Sequence, residues 1–330
     1  MKQFKKIAAF LLCGALVGSL AACNGGGGTK APVAVTMWHY YNGAQQDTLN
    51  SLVDEFNESV GAEKGIVVEA HGFGKIADLT QNALDALYKK VGADTPPDLF
   101  AAYADTAYEI NAAGMAADVG QYLSEAERGA YIPAYFEEGR FDEDSFKIFP
   151  VAKSVELLTL NKTEWDRFAA DTKAEEAGLA TWEGLAEIAK TYYEWTDGLT
   201  PDVPNDGKAF FGRDAFANYM IIGAKQLGAE IFVTENGKMT PQVDKQVMRR
   251  LWDNFYVPYI SGYYAAYGKF RSDDLRTGDI AAFVGSTSGA TYFPAEVTRA
   301  DGSTYPIAGK VYALPNFADT APMGVQQGAG

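Results

Sequence analysis

Between Val33 and Gly114 the sequence alternates, three times over, a short β-forming run with a longer stretch of apolar residues at helical spacing. Val33–Trp38 reads as a buried strand, after which Leu49, Leu52, Val53 and Phe56 fall on one helix face. Ile66–Ala70 is a second strand, and Ile76, Leu79, Ala83, Leu84 and Leu87 mark a second helix. Pro96 and Pro97 open a third strand, Asp98–Ala102, and the helix after it stops at Gly114, a suitable C-cap. A β-α-β-α-β-α order implies an α/β fold with a parallel sheet and crossover helices. Ligands of such sheets sit at the carboxyl ends of the strands. Those ends are Trp38 to Tyr41, Ala70 to Gly72 and Ala102 to Asp105.

Beyond Phe146 the pattern changes. Phe146–Pro150 and Val155–Leu160 read as strands, and helical patterns follow at about 162–170, 181–195, 214–228 and 243–257. Residues 196–212 form a loop rich in Pro, Gly and Asp. Ile280–Val284 is a further strand, ending in the hydroxyl-rich turn Gly285–Gly289.

The first 28 residues carry a different signal. Lys2, Lys5 and Lys6 precede an uncharged run, Ile7–Ala22, that ends in small residues at Cys23 and is followed by four glycines. A basic start, an apolar core and a small-residue cleavage site make a secretory signal. The run is short of the ~20 residues a membrane span needs. It resembles a bacterial lipoprotein signal, which implies cleavage after Ala22, lipid on Cys23, and a flexible glycine tether over 23–31. Removing residues 1–22, which hold three lysines and no acid, takes the net charge from −15 to −18. An acidic exterior argues against nucleic acid as a partner. Cys13 leaves with the signal and Cys23 is acylated, so thiol catalysis and thiolate metal sites are excluded.

Enzyme motifs are missing. The two histidines, His39 and His71, stand at separate strand ends. There is no His-Glu-x-x-His, no Gly-x-Ser-x-Gly and no phosphate-loop pattern. Gly72-Phe-Gly74 lacks the third glycine of a dinucleotide loop, and Asp202–Gly207 fails the EF-hand spacing. No cofactor is expected. Acidic pairs are abundant among 43 Asp and Glu, so a secreted glycoside hydrolase stays an alternative on counting alone.

Four segments, in order and spacing, resemble the extracellular solute-binding proteins of bacterial ABC importers. They are closest to the maltose- and glycerol-3-phosphate-binding branch. The segments are Val35–Gly43 with its helix to Asn57; Pro97–Asp105 leading to Met115; Phe149–Glu156 through Lys162, with Thr181 and Trp182; and Leu275–Ser286. The resemblance implies a two-lobe periplasmic-binding-protein-like fold of type II, each lobe a sheet flanked by helices. One lobe is expected over 32–152 plus 285–322 and the other over 155–282. The hinge crossings are expected at 150–156, at 284–288 and from 323 onward. In relatives a mostly helical block follows this third crossing, so the sequence reads as C-terminally truncated. The implied partners are a small solute, most readily a carbohydrate, an ABC permease, and the membrane through the N-terminal lipid; a monomer is expected. Glycerol phosphates are the second solute class.

Sugar recognition needs flat aromatic faces and polar groups that bond hydroxyls in pairs. His39, Tyr40, Tyr41 and Asn42 occupy the first strand–helix turn, whereas Trp38 belongs to the core. By resemblance Asp105 matches a ligand-binding acid, with a helix N-cap as its plain alternative; Tyr103 alternates with it. Glu156, beside Ser154, matches a cleft glutamate, with an ion pair to Lys153 or Arg213 as the plain alternative. Ser286, Thr287 and Ser288 form a turn that suits a hydroxyl or an anion at a helix start. Phe211 and Arg213, with Phe210, are candidates to stack on or clamp a ligand, or else pack a helix entry.

Overall fold

A computed structural model describes residues 31–141, 145–235 and 238–330. The signal, Cys23 and most of the glycine tether lie outside the described residues. Among the described residues, no helix is long and apolar enough to cross a membrane. The chain divides into two compact units, with the boundary between Asp118 and Val119.

In the first unit β1 (Val33–His39) is central, with β2 (Ile66–Gly72) and β3 (Leu99–Phe100) parallel on either side. The register pairs His39 with Gly72 and Trp38 with Phe100, so the carboxyl ends of the strands line up. The crossovers are α1 (Gly43–Phe56) and α2 (Ile76–Leu87), and α3 (Ala104–Ala112) follows β3. Helix α2 buries Leu79, Ala83 and Ala86, three and four residues apart, against Trp38. The third strand is shorter than its sequence suggests, because Asp98 spends its carboxylate on the N–H and hydroxyl of Thr36.

The second unit opens with short helices α4 (Glu125–Gly129) and α5 (Pro133–Glu137). Among the described residues, Phe146–Pro150 forms no named strand; an isolated bridge joins Phe146 to Arg140, and Phe146 packs face to face on Phe136. Strand β4 (Glu156–Asn161) lies inside a mixed sheet. Its neighbours are β8 (Ala282–Ser286) and β11 (Gly309–Ala313), both antiparallel, and β5 (Phe211–Arg213) runs parallel to β8. Between them come α6 (Lys162–Thr172), α7 (Trp182–Asp197), α8 (Phe216–Gln226), the hairpin β6 (Phe232–Glu235) and β7 (Lys238–Pro241), α9 (Lys245–Ile260) and α10 (Arg271–Thr277). A second hairpin, β9 (Glu296–Thr298) and β10 (Thr304–Pro306), precedes β11.

Helix α7 shows how the sequence selects this packing. Thr181 caps it by accepting the Gly184 N–H at 3.1 Å. Trp182, Leu185, Ile188, Ala189, Tyr192 and Thr196 then fall on one buried face. That face joins Leu158, Leu160, Phe168, Phe210, Phe211, Tyr219, Val284 and Phe317 in a single core.

Residues 119–152 and 285–322, expected from the resemblance to accompany 32–118, fall within the second compact unit. The reason is strand pairing: Gly309–Ala313 supplies the partner that the free edge of β4 requires, and Ser286 still pairs with Glu156. The tail from 323 onward is held there too, by reciprocal backbone hydrogen bonds between Gln327 and Ser154 at 2.7 and 2.8 Å.

Candidate functional site

Two polar and aromatic sets stand out, one in each unit. In the first unit the carboxyl end of β1 delivers His39, Tyr40 and Tyr41 together. The His39 ring lies 5.8 Å from that of Tyr41, Tyr41 lies 5.0 Å from Tyr40, and Tyr40 lies 6.2 Å from Tyr103. Four candidates therefore form one aromatic group. His39 is 1% exposed, and its Nδ1 has no hydrogen-bond partner. Burial, with a smaller push from His71, lowers the His39 pKa below its ordinary value, which favours the neutral ring. Burial also raises the Tyr41 hydroxyl, with a contribution from Tyr40. The neighbouring Gly72 leaves room for this ring: a Cβ there would lie 2.9 Å from His39 Cε1.

Asn42 and Asp105 are placed differently. Asn42 occupies the N-cap position of α1 without a capping bond and donates instead to the Gly74 carbonyl at 3.2 Å. Asp105 is not an N-cap; that position belongs to Tyr103. The Asp105 carboxylate accepts the Thr106 N–H at 2.8 Å, and the residue is exposed.

In the second unit Glu156 is the centre of a buried network. Its carboxylate pairs with Arg213 and accepts from Asn218 Nδ2 at 3.1 Å, and Asn218 also donates to Gln327 Oε1 at 2.7 Å. The plain alternative for Glu156, an ion pair with Arg213, is what the structure shows. The Arg213 guanidinium lies near the rings of Trp182 (5.3 Å) and Tyr219 (5.7 Å), which pack edge to face on each other 5.0 Å apart, and donates through Nε to the Ala215 carbonyl. Its Nη1 is buried with no partner. Burial raises the Glu156 pKa, although Arg213 and Asn218 pull it down. Burial lowers Arg213 to about 10, against the opposing pull of Glu156. Desolvation thus dominates on both sides of the pair.

The serines adjoin this network. Ser286 Oγ donates to Ser154 Oγ at 3.0 Å and lies 3.0 Å from Ser288 Oγ. The Thr287 N–H is engaged by the Val155 carbonyl at 2.8 Å, so it is not free for an anion. From there the chain runs on as a short 3-10 turn, Thr287–Tyr292, not the α-helix start anticipated.

Phe211 takes its packing alternative. It is 0% exposed, packed against Trp182 and Tyr264, and belongs to the core. Phe210 is equally buried, because β5 is covered on both faces and consecutive residues both point into apolar surroundings. Sequence reasoning missed Asn218 and Gln327. A lone amide in the apolar run from Phe216 to Ile222 was the available signal for Asn218. Nothing local marks Gln327, whose role depends on where the tail returns.

The sequence matches the family model described as bacterial extracellular solute-binding protein over residues 51–329, and the chain belongs to that family. The family is one of solute receptors, not enzymes. No curated protein sequence matches. Among solved structures, the fold is similar to UgpB of Mycobacterium tuberculosis in complex with glycerophosphocholine. The TM-score is 0.69 at 16% identity, over 92% of this chain and 72% of that one. It is also similar to an ABC substrate-binding protein of Listeria monocytogenes in complex with cycloalternan (TM-score 0.67, 16% identity, 91% and 70% covered). A third is the GacH receptor of Streptomyces glaucescens, solved unliganded and with acarbose (TM-score 0.65, 16% identity, 90% and 70% covered).

Proposed function

We propose that this protein is the lipid-anchored receptor of an ABC importer and that its solute is a sugar or oligosaccharide. The observation that carries the sugar reading is the ring group of His39, Tyr40, Tyr41 and Tyr103 around an unpaired buried imidazole nitrogen. Ring faces cover the apolar side of a pyranose, and a neutral imidazole bonds a hydroxyl. The hydroxyls of Ser154, Ser286 and Ser288, with the amide of Gln327, add hydrogen-bonding capacity in the second unit. Similarity to receptors solved with acarbose and with cycloalternan supports the same class.

A glycerol phosphate needs cations to spare, and the two candidates are already engaged. Arg213 is held by Glu156, and Lys153 is held by Glu138 at 2.9 Å and by the Gly328 carbonyl at 2.9 Å. The Cys23 anchor rests on the signal-like N-terminus, and Cys23→Ser should release the protein from membranes. Labelling with a radioactive fatty acid that persists in that variant would contradict the anchor. For the solute, titration with saccharides should give saturable binding that Tyr41→Ala weakens about tenfold, a loss of about 1.4 kcal/mol. Unchanged affinity in that variant would remove the ring group from the site.

A further inference from the structure

We infer that the second unit carries a separate site for a small hydroxylated carboxylate, at the end of β4 remote from Glu156. The two ends of this six-residue strand are about 17 Å apart at the usual rise per residue, so this site is distinct from the network described above. A cavity of about 200 Å³ lies there, lined in part by Asn161, Glu164, Asp206, Lys208, Arg299 and Tyr305. That is room for about six or seven waters at ~30 Å³ each, or for one small organic acid.

Three observations define what it takes. Asn161 is 1% exposed and uses Oδ1 to cap α6 at the Glu164 N–H, which leaves its Nδ2 donor without a hydrogen bond. Among the described residues, no carboxylate lies within 4 Å of the Lys208 or Arg299 nitrogens. Lys208 Nζ reaches only the Gly278 carbonyl at 3.2 Å, and Arg299 reaches Ser303 Oγ at 3.1 Å while lying over the Tyr305 ring. In a chain with a net charge of −15, two cations without a carboxylate partner and an amide donor at one cavity form a local excess of donors. The acids of the lining are satisfied: Glu164 accepts from Tyr192 Oη at 3.1 Å and pairs with Arg167 at 3.6 Å, and Asp206 accepts from Thr200 Oγ1 at 2.5 Å.

These two acids decide the ligand class. They repel a phosphate dianion more than a monoanion and accept hydrogen bonds from hydroxyls, so a monocarboxylate with hydroxyls, such as a sugar acid, fits all the groups present. The test is calorimetric titration of the whole protein with D-glucuronate at constant ionic strength, with glucose and inorganic phosphate as the other arms. Saturable binding of glucuronate, with glucose and phosphate at least tenfold weaker, is expected. Asn161→Asp keeps the helix cap, since Asp caps as well as Asn, but turns the donor into an acceptor. Asn161→Asp and the exposed-rim change Lys208→Glu should each weaken glucuronate at least tenfold. Absence of saturable glucuronate binding overturns the inference, as does preference for phosphate or indifference to both substitutions.

Discussion

Glu156 and Arg213 form the most consequential pair in the second unit, and the two single substitutions should behave differently. Their side chains are 2% and 0% exposed, so solvent does not screen the interaction. Removing one partner of such a buried pair costs about 3–5 kcal/mol, because the other charge is left uncompensated. For a unit of this size, roughly 2–4 °C of melting temperature is lost per kcal/mol, so each variant should melt roughly 6–20 °C lower. In Arg213→Met, Glu156 can take up a proton, and its pKa is already raised by burial. A carboxyl with a raised folded pKa contributes stability that is fully present below its unfolded value and lost as pH rises through the folded value. The deficit of Arg213→Met should therefore grow between pH 5 and pH 8. In Glu156→Gln the buried guanidinium remains and, as an arginine, stays charged across the same window, so the deficit should be flat. The double variant Glu156→Leu with Arg213→Met should recover more than half of the loss. Calorimetric melts at pH 5, 6.5 and 8 of the unaltered protein, Arg213→Met, Glu156→Gln, Glu156→Leu and the double variant provide the cycle, with Glu156→Leu as its second single. Single-variant shifts under 2 °C, or strictly additive losses, would refute the reasoning.

Other consequences arise from particular contacts. The lowered pKa of His39 means that its contribution to stability is present above the ordinary value of 6.5 and lost as pH falls through the folded value. Its ring protons should titrate below 6.5 by NMR, and His39→Gln should flatten the acid side of the melting profile. Gly285→Ala should destabilise the second unit by about 1–3 kcal/mol, because a Cβ there would lie 2.8 Å from Asp214 Oδ2 and 3.2 Å from the Phe283 ring; urea unfolding measures this. Tyr103→Ala removes a ring that is 37% exposed, so it should lower sugar affinity several-fold while shifting the melt by under 3 °C.

The first unit was largely legible. Each strand and helix there carries its own apolar period, and parallel crossovers leave little topological freedom. The second unit was legible in its long helices and in the apolar runs of β4 and β8. Strand β5 was hidden at the end of a Pro/Gly/Asp loop because it has three residues, too few to show a period. Strand β11 carries no local signal of its place, because its pairing with β4 is non-local, a choice made by an open sheet edge and not by any motif. The site divides in the same way. The Tyr40 and Tyr41 group follows from one strand end, which the sequence displays directly. The Glu156 network joins residues 57, 62 and 171 positions away from it, and Phe211 turned inward because its strand is covered on both faces.

A sugar held by the ring group is the proposal on which the rest depends, and isothermal titration of the protein with mono-, di- and oligosaccharides, with glycerol phosphates alongside, is its test. One-site saturable binding of a saccharide class is expected, with the sugar recovered unchanged and the affinity lost on replacing Tyr40 and Tyr41 together. Preference for a glycerol phosphate, or saccharide binding that survives the double replacement, would contradict it.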